Sequence, residues 1–136
     1  MAFVDDHWQD EPGVIERGLE ATGRLLLSGM FISGGWSALK APEQRAPRAA
    51  AIGIPFPELA TRVNGAAMVA GGVALATGIA VKPGTAVLAL TLVPTTIAGH
   101  PFWREEDPKA RAQQRVHFLK NLAMLGGLLI LLSKRR

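Results

Sequence analysis

Charge in this chain comes in blocks, and the blocks decide what it can fold into. No Lys, Arg, Asp or Glu occurs from Val63 to Val81, from Pro83 to Trp103 or from Asn121 to Ser133, and fifteen uncharged residues separate Arg24 from Lys40. Short charged stretches such as 104-REEDPKARAQQR-115 lie between them. A hydrocarbon core about 30 Å thick takes roughly 20 mostly apolar residues of helix, with long cationic side chains snorkelling at the ends. The blocks 63–81 and 83–103 reach that length nearly unaided. The other two reach it when Arg24, Lys40 and Lys120 sit at the interfaces. Four membrane helices are therefore expected. The alternative, a soluble four-helix bundle, needs a polar face at 3.6-residue spacing, and 65-GAAMVAGGVALATGIAV-81 has none.

Averaged over 136 residues, 49% hydrophobic and 19% charged look globular, which hides this segregation. The start, 1-MAFVDDHWQDEPGVIER-17, is acidic and broken by Pro12 and Gly13, unlike a cleavable signal peptide. It reads as a short acidic N-terminal extension, residues 1–13, ahead of a helical domain over 14–136. Cysteine is absent, which excludes disulfides, thiolate nucleophiles and Cys-ligated zinc or iron–sulfur clusters. The net charge of +4 comes from basic residues flanking apolar segments without interleaved aromatics, so it points to lipid head groups and not to nucleic acid.

The expected architecture is all-α, an integral membrane four-helix up-down bundle. The first helix runs from Val14 or Glu20 to Leu39, and Pro42 stops it. The connector 41-APEQRAPRAAAIGIPFP-57 has four prolines and stays at one membrane surface. The second helix runs from about Glu58 to Val81, and 82-KPG-84 makes the turn into the third. That helix ends near His100 and contains Pro94, whose freed carbonyl Thr91, Thr95 or Thr96 could serve. The fourth starts between Ala110 and Val116 and stops at 134-KRR-136. Glycines in the first, second and fourth helices mark packing faces, because in lipid close backbone approach at small residues holds helices together.

Antiparallel threading gathers polar residues. Let the first helix run from face A to face B. Trp36 and Lys40 then end at face B, Arg62 and Asn64 lie near it, His100, Phe102 and Trp103 are delivered to it, and the fourth helix leaves from it with His117, Lys120 and Asn121. The last three are spaced i, i+3, i+4 and share one side of that helix. Trp36, Lys40 and Trp103 suit an interface belt. Asn64 and Asn121 lie inside the apolar boundary, so their amides should point into the bundle, to bond between helices or to face a ligand. Lys120 with His117 either snorkels or marks a binding site. All nine of Trp36, Lys40, Asn64, His100, Phe102, Trp103, His117, Lys120 and Asn121 are candidate ligand-binding residues. Haem between His100 and His117 is geometrically conceivable but has no supporting motif and is not expected. Zinc would need a third ligand, and His7 lies in the extension at the opposite face, so no metal site is expected. No Ser/His/Asp arrangement or phosphate-binding loop is present.

The run 93-VPTTIAGHPFW-103, followed by 107-DPKARAQQRVHFLKNLAMLGGLL-129, resembles the C-terminal half of DoxX-family membrane proteins. Gly29, Trp36, Lys40, Pro42 and the pair Ile54-Pro55 before a Gly-rich helix add to the likeness. The resemblance implies a four-helix protein of the inner or plasma membrane, in a family named for subunits of archaeal thiosulfate:quinone oxidoreductase. It supplies no catalytic motif and leaves open whether the chain is an enzyme. The lack of cysteine argues against direct handling of thiols or thiosulfate.

The function expected is therefore an accessory subunit of a membrane-associated oxidoreductase or oxidative-stress assembly, in contact with protein partners and lipid. A quinone would suit face B, because its tail wants lipid while its carbonyls want donors. The competing reading is a non-enzymatic scaffold or assembly factor whose polar residues only fix the bundle. A solute transporter would need polar groups at mid-membrane, where mainly Thr91, Thr95 and Thr96 are found. Face B holds nine Lys and Arg and face A six, which leans towards face B being cytoplasmic.

Overall fold

The structure, a computed structural model, describes residues 12–135. The acidic extension, His7 included, lies outside the described residues apart from Pro12 and Gly13. Five α-helices, four of them long, make up the described chain: α1 Val14–Lys40, α2 Ala46–Ala51, α3 Pro57–Thr77, α4 Val81–Gly99 and α5 Pro108–Ser133. The helix count thus departs from four through α2, a six-residue helix inside the connector. Pro47 falls in its first turn, where the missing amide is no loss, and alanines fill most of the rest.

The long helices are stacked in chain order, α1 on α3, α3 on α4, α4 on α5, each antiparallel to the one before. The chain ends of α1 and α4 and the starts of α3 and α5 therefore meet at face B. The α1–α3 crossing is the closest. A Cβ at Gly35 would lie 2.6 Å from the Gly65 carbonyl oxygen, and one at Gly65 would lie 2.7 Å from the Gly35 carbonyl oxygen, so the two backbones touch where neither residue has a side chain. Phe31, Met68, Leu75, Leu88, Leu92 and Leu128 form the core beneath. Other large apolar side chains point outward, among them Leu26, Val63, Ile79, Leu90 and Ile130, as expected of helices whose solvent is lipid.

Three helical segments are long and apolar enough to cross a membrane, Pro57–Thr77, Val81–Arg104 and Pro108–Ser133. α1 is as long but carries Glu16, Arg17, Glu20 and Arg24 in its first three turns, and is not among them.

Several boundaries differ from the sequence reading. The turn between α3 and α4 is 78–80 and not 82-KPG-84. Gly78 takes a left-handed conformation (φ 77) and its amide bonds the Ala74 carbonyl, closing α3. Lys82, Pro83 and Gly84 belong to the first turns of α4, where a proline needs no amide partner. α5 begins earlier than expected because Asp107 caps it, its Oδ2 accepting from the Ala110 amide at 2.8 Å, with Pro108 at the first helical position. Pro94 sits inside α4 as expected, but the nearby hydroxyls serve other carbonyls: Thr91 donates to Leu88, Thr95 to Thr91 and Thr96 to Leu92. None of them reaches the Leu90 carbonyl that Pro94 deprives of its partner.

Candidate functional site

Face B contains a partly open cavity of about 310 Å³, bounded by the end of α1, α2, the start of α3 and the end of α4. Its polar lining is Arg45, Arg48, Thr61, Asn64, Thr95 and His100. Its apolar wall includes Ala38, Ala49, Ile54 and Pro94. Each lining group is placed by local chain logic. The 3-10 turn Pro42–Gln44 reverses the chain after α1, so α2 folds back against α3 and α4 and brings Arg48 and its N-cap Arg45 over the gap. Arg104 holds this fold from the other side, donating from Nη1 to the Ala51 carbonyl at 3.4 Å. Asn64 Nδ2 donates to Thr95 Oγ1 at 2.9 Å, bonding α3 to α4 across the cavity floor.

The candidate residues divide between the two sides of α4. Asn64 and His100 reach the cavity. Asn121 lies on the α5 side, buried, its Nδ2 donating to Thr96 Oγ1 at 3.1 Å, and lines a separate apolar groove of about 250 Å³ between α4 and α5. His117 stacks on His100, ring centroids 5.2 Å apart and planes 23° from parallel. Phe102, Trp103 and Phe118 make an edge-to-face cluster with centroids 5.3 to 5.9 Å apart, which fastens the turn after α4 onto α5. Lys120 is exposed and makes no hydrogen bond or ion pair among the described residues. Trp36 is 56% exposed and carries the Lys40 ammonium 5.8 Å from its ring centre, so both face outward from the end of α1. The nine candidates share face B but do not share one pocket.

His100 is the hinge between the two sides. Its Nδ1 lies 2.8 Å from Gln114 Oε1. An amide oxygen only accepts, so Nδ1 carries the proton and the neutral ring keeps Nε2 as an acceptor. Among the described residues no group of three His, Asp or Glu side chains is placed to hold a metal ion.

Arg45, Arg48, Thr61 and Gln114 join the site without being among the nine candidates, the arginines because α2 folds them back over the cavity. The usable signal was 46-APRAAA-51, a proline in a first helical turn followed by alanines, inside a segment otherwise read as loop.

Asparagine truncation separates pairing from ligand contact. Interhelical hydrogen bonds in membranes average about 0.6 and reach about 1.7 kcal/mol. Asn121→Ala should therefore lower the thermal midpoint in detergent by that modest amount, and Thr96→Val should do the same without adding to it in the double variant. Additive losses would show that the two side chains do not depend on each other.

Antiparallel apolar helices with lipid-facing leucines, valines and isoleucines, and polar side chains collected at one end, define an integral membrane protein. Comparison with protein families matches DoxX over residues 19–101. The chain belongs to the DoxX family. The match runs from α1 to the turn after α4, so the segment 107–129 that contributed to the resemblance lies beyond it. No curated protein and no solved structure is found to match the chain.

Proposed function

We propose that this DoxX-family protein is an accessory subunit of a membrane-associated oxidoreductase in the inner or plasma membrane, and that its face-B cavity takes the head group of a quinone-like lipophilic ligand. The observation that carries this reading is the cavity itself, at the level where the apolar helices end, with donors and an acceptor around an apolar wall. Arg45 and Arg48 would donate to a ring carbonyl. His100, with its Nδ1 proton engaged by Gln114, would offer Nε2 to a ring hydroxyl of the reduced form. Asn64 contributes less than its type suggests, because its amide nitrogen already bonds Thr95 and lies 3.5 Å from Met68 Sδ. At about 310 Å³ the cavity sits at the small end of ligand sites, roughly 300 to 1,000 Å³, which suits a head group whose tail stays in lipid.

The same proposal takes α1 as a fourth span from about Leu25 onward. Its apolar half packs along α3 while Leu25, Leu26 and Met30 face outward. Face B is assigned to the cytoplasm on the excess of Lys and Arg there, and residues 1–13 to an extension outside the helical domain. A scaffold without a small ligand is favoured by one observation, the pairing of Asn64 with Thr95 and Asn121 with Thr96, which uses two of the buried polar groups for packing.

Purification of the full chain in mild detergent tests the choice, with co-purifying proteins identified by mass spectrometry and bound quinone by extraction and absorbance. The expected result is a quinone near one per chain, lost in His100→Leu, together with an oxidoreductase partner. Recovery of the chain with neither ligand nor partner would overturn the proposal in favour of the scaffold.

A further inference from the structure

The face-B cavity has a charge asymmetry that a neutral quinone does not use. Arg45 and Arg48 line it, yet neither side chain makes a hydrogen bond or an ion pair with any described residue, and among the described residues no carboxylate lines the cavity. Glu43 and Glu58, the acidic residues nearest in sequence, pair with neither arginine. Elsewhere in the molecule the chain supplies a counter-ion to basic side chains. At face A, Glu20 lies 3.2 Å from Arg24 and 3.3 Å from Lys134. The cavity is thus a half-enclosed site whose charged lining is only basic, the partly buried Arg45 and the exposed Arg48 at its mouth, with an apolar wall of Ala38, Ala49, Ile54 and Pro94. Guanidinium groups bind carboxylate, phosphate and enolate oxygens in paired, charge-assisted hydrogen bonds that neutral carbonyls do not match.

We infer that the ligand of this cavity is an anionic amphiphile, a lipophilic molecule whose head group is ionised at neutral pH and is held by Arg45 and Arg48 while its tail remains in lipid. This rests on the reading of the cavity as a head-group site and narrows it. Two sources supply that chemistry, an acidic quinone bearing an ionised ring hydroxyl and a phospholipid with a phosphate monoester. Tight binding of the free anion alone would not require the apolar wall, and binding of a neutral head group would not require two unpaired arginines.

The test uses the full chain in a neutral detergent and four probes: an alkylated 2-hydroxy-1,4-naphthoquinone, its parent naphthoquinone without the hydroxyl, dioctanoyl phosphatidic acid, and inorganic phosphate. Binding is followed by tryptophan fluorescence and native mass spectrometry. At least one acidic amphiphile should bind about tenfold or more tightly than the neutral quinone and than inorganic phosphate. That advantage should disappear in the double variant Arg45→Gln/Arg48→Gln, survive in Arg45→Lys/Arg48→Lys at reduced strength, and be unchanged in Lys109→Gln, which removes a charge outside the cavity. If only phosphatidic acid binds, the anionic site stands and the quinone reading fails. If the neutral quinone binds as tightly as the acidic one, or the preference survives loss of both arginines, the anionic site fails and the quinone reading stands. Inorganic phosphate binding as tightly as the amphiphiles would also overturn the inference, since the tail would then contribute nothing.

Discussion

Gly65→Ala is expected to destabilise the protein by about 1–3 kcal/mol, the usual range for overpacking, and Gly65→Leu to remove the folded monodisperse species from detergent. The new methyl would fall 2.7 Å from the Gly35 carbonyl oxygen and 3.0 Å from the Ala38 methyl. The first of these is backbone in a packed helix, which cannot swing aside as a flexible side chain would, so α1 and α3 must separate along their length. In lipid there is no gain from burying apolar surface to hold them, and the close approach is itself the adhesion. Gly29→Ala, on the facing helix α1 with nothing within 4 Å of the added methyl, is the control and should leave stability unchanged or slightly raised. Thermal unfolding followed by fluorescence-detected size exclusion reads both. Equal behaviour of the two variants would show that the glycine contact is not what fastens α1 to the bundle.

The ion cluster at face A should show an equally clear asymmetry. Glu20 bridges Arg24 on its own helix and Lys134 beyond the end of α5, and it is only 12% exposed. Arg24 is enclosed enough that its Nε is buried without a hydrogen-bond partner among the described residues. Removing one member of such a pair leaves an uncompensated charge at the edge of the apolar layer, which costs 3–5 kcal/mol when burial is complete. For this partly screened cluster Glu20→Ala should cost about 2 kcal/mol. Lys134→Ala should cost under about 1 kcal/mol, because that lysine is 42% exposed and its loss strands nothing. Thermal midpoints of the two variants give the ranking, and a reversed order would mean that Arg24 reaches the head groups without help from Glu20.

The fold was legible where it follows from the solvent. Uncharged blocks located α3, α4 and α5, prolines kept 41–57 from spanning, and strict alternation of direction brought His100, His117, Asn64 and Asn121 to one face. The inward turn of both asparagines was also readable, since hydrocarbon offers an amide no partner and threonines on α4 do. Which side of α4 each residue would occupy was not readable. Asn64 approaches that helix from α3 and Asn121 from α5, and the order of helices around a bundle is not written in spacing along any one of them. The cavity was hidden for a related reason. Its arginines sit in and just before a helix of six residues, too short to show periodicity, and they reach the site only because a 3-10 turn folds the connector back. The α3–α4 turn was misplaced because Lys-Pro-Gly is a stronger turn signal than Gly-Ile-Ala. A proline is as comfortable in the first turn of a helix as in a loop, and the left-handed Gly78 decided between them.

The shallow seat of α5 bears on how the protein is made. Only Asn121 and Leu128 of its 26 residues are fully buried, and it leans chiefly on α4 and the aromatic turn before it. During synthesis it leaves the ribosome after α1, α3 and α4, by which time the glycine crossing of α1 with α3 and the docking of α4 can already be in place. Its arrival then acts as a latch: His117 and Phe118 close on one rim while Lys134 fastens the other to Glu20. The bundle is thus divided into a body packed through glycines and a final long helix fastened mainly at its two ends.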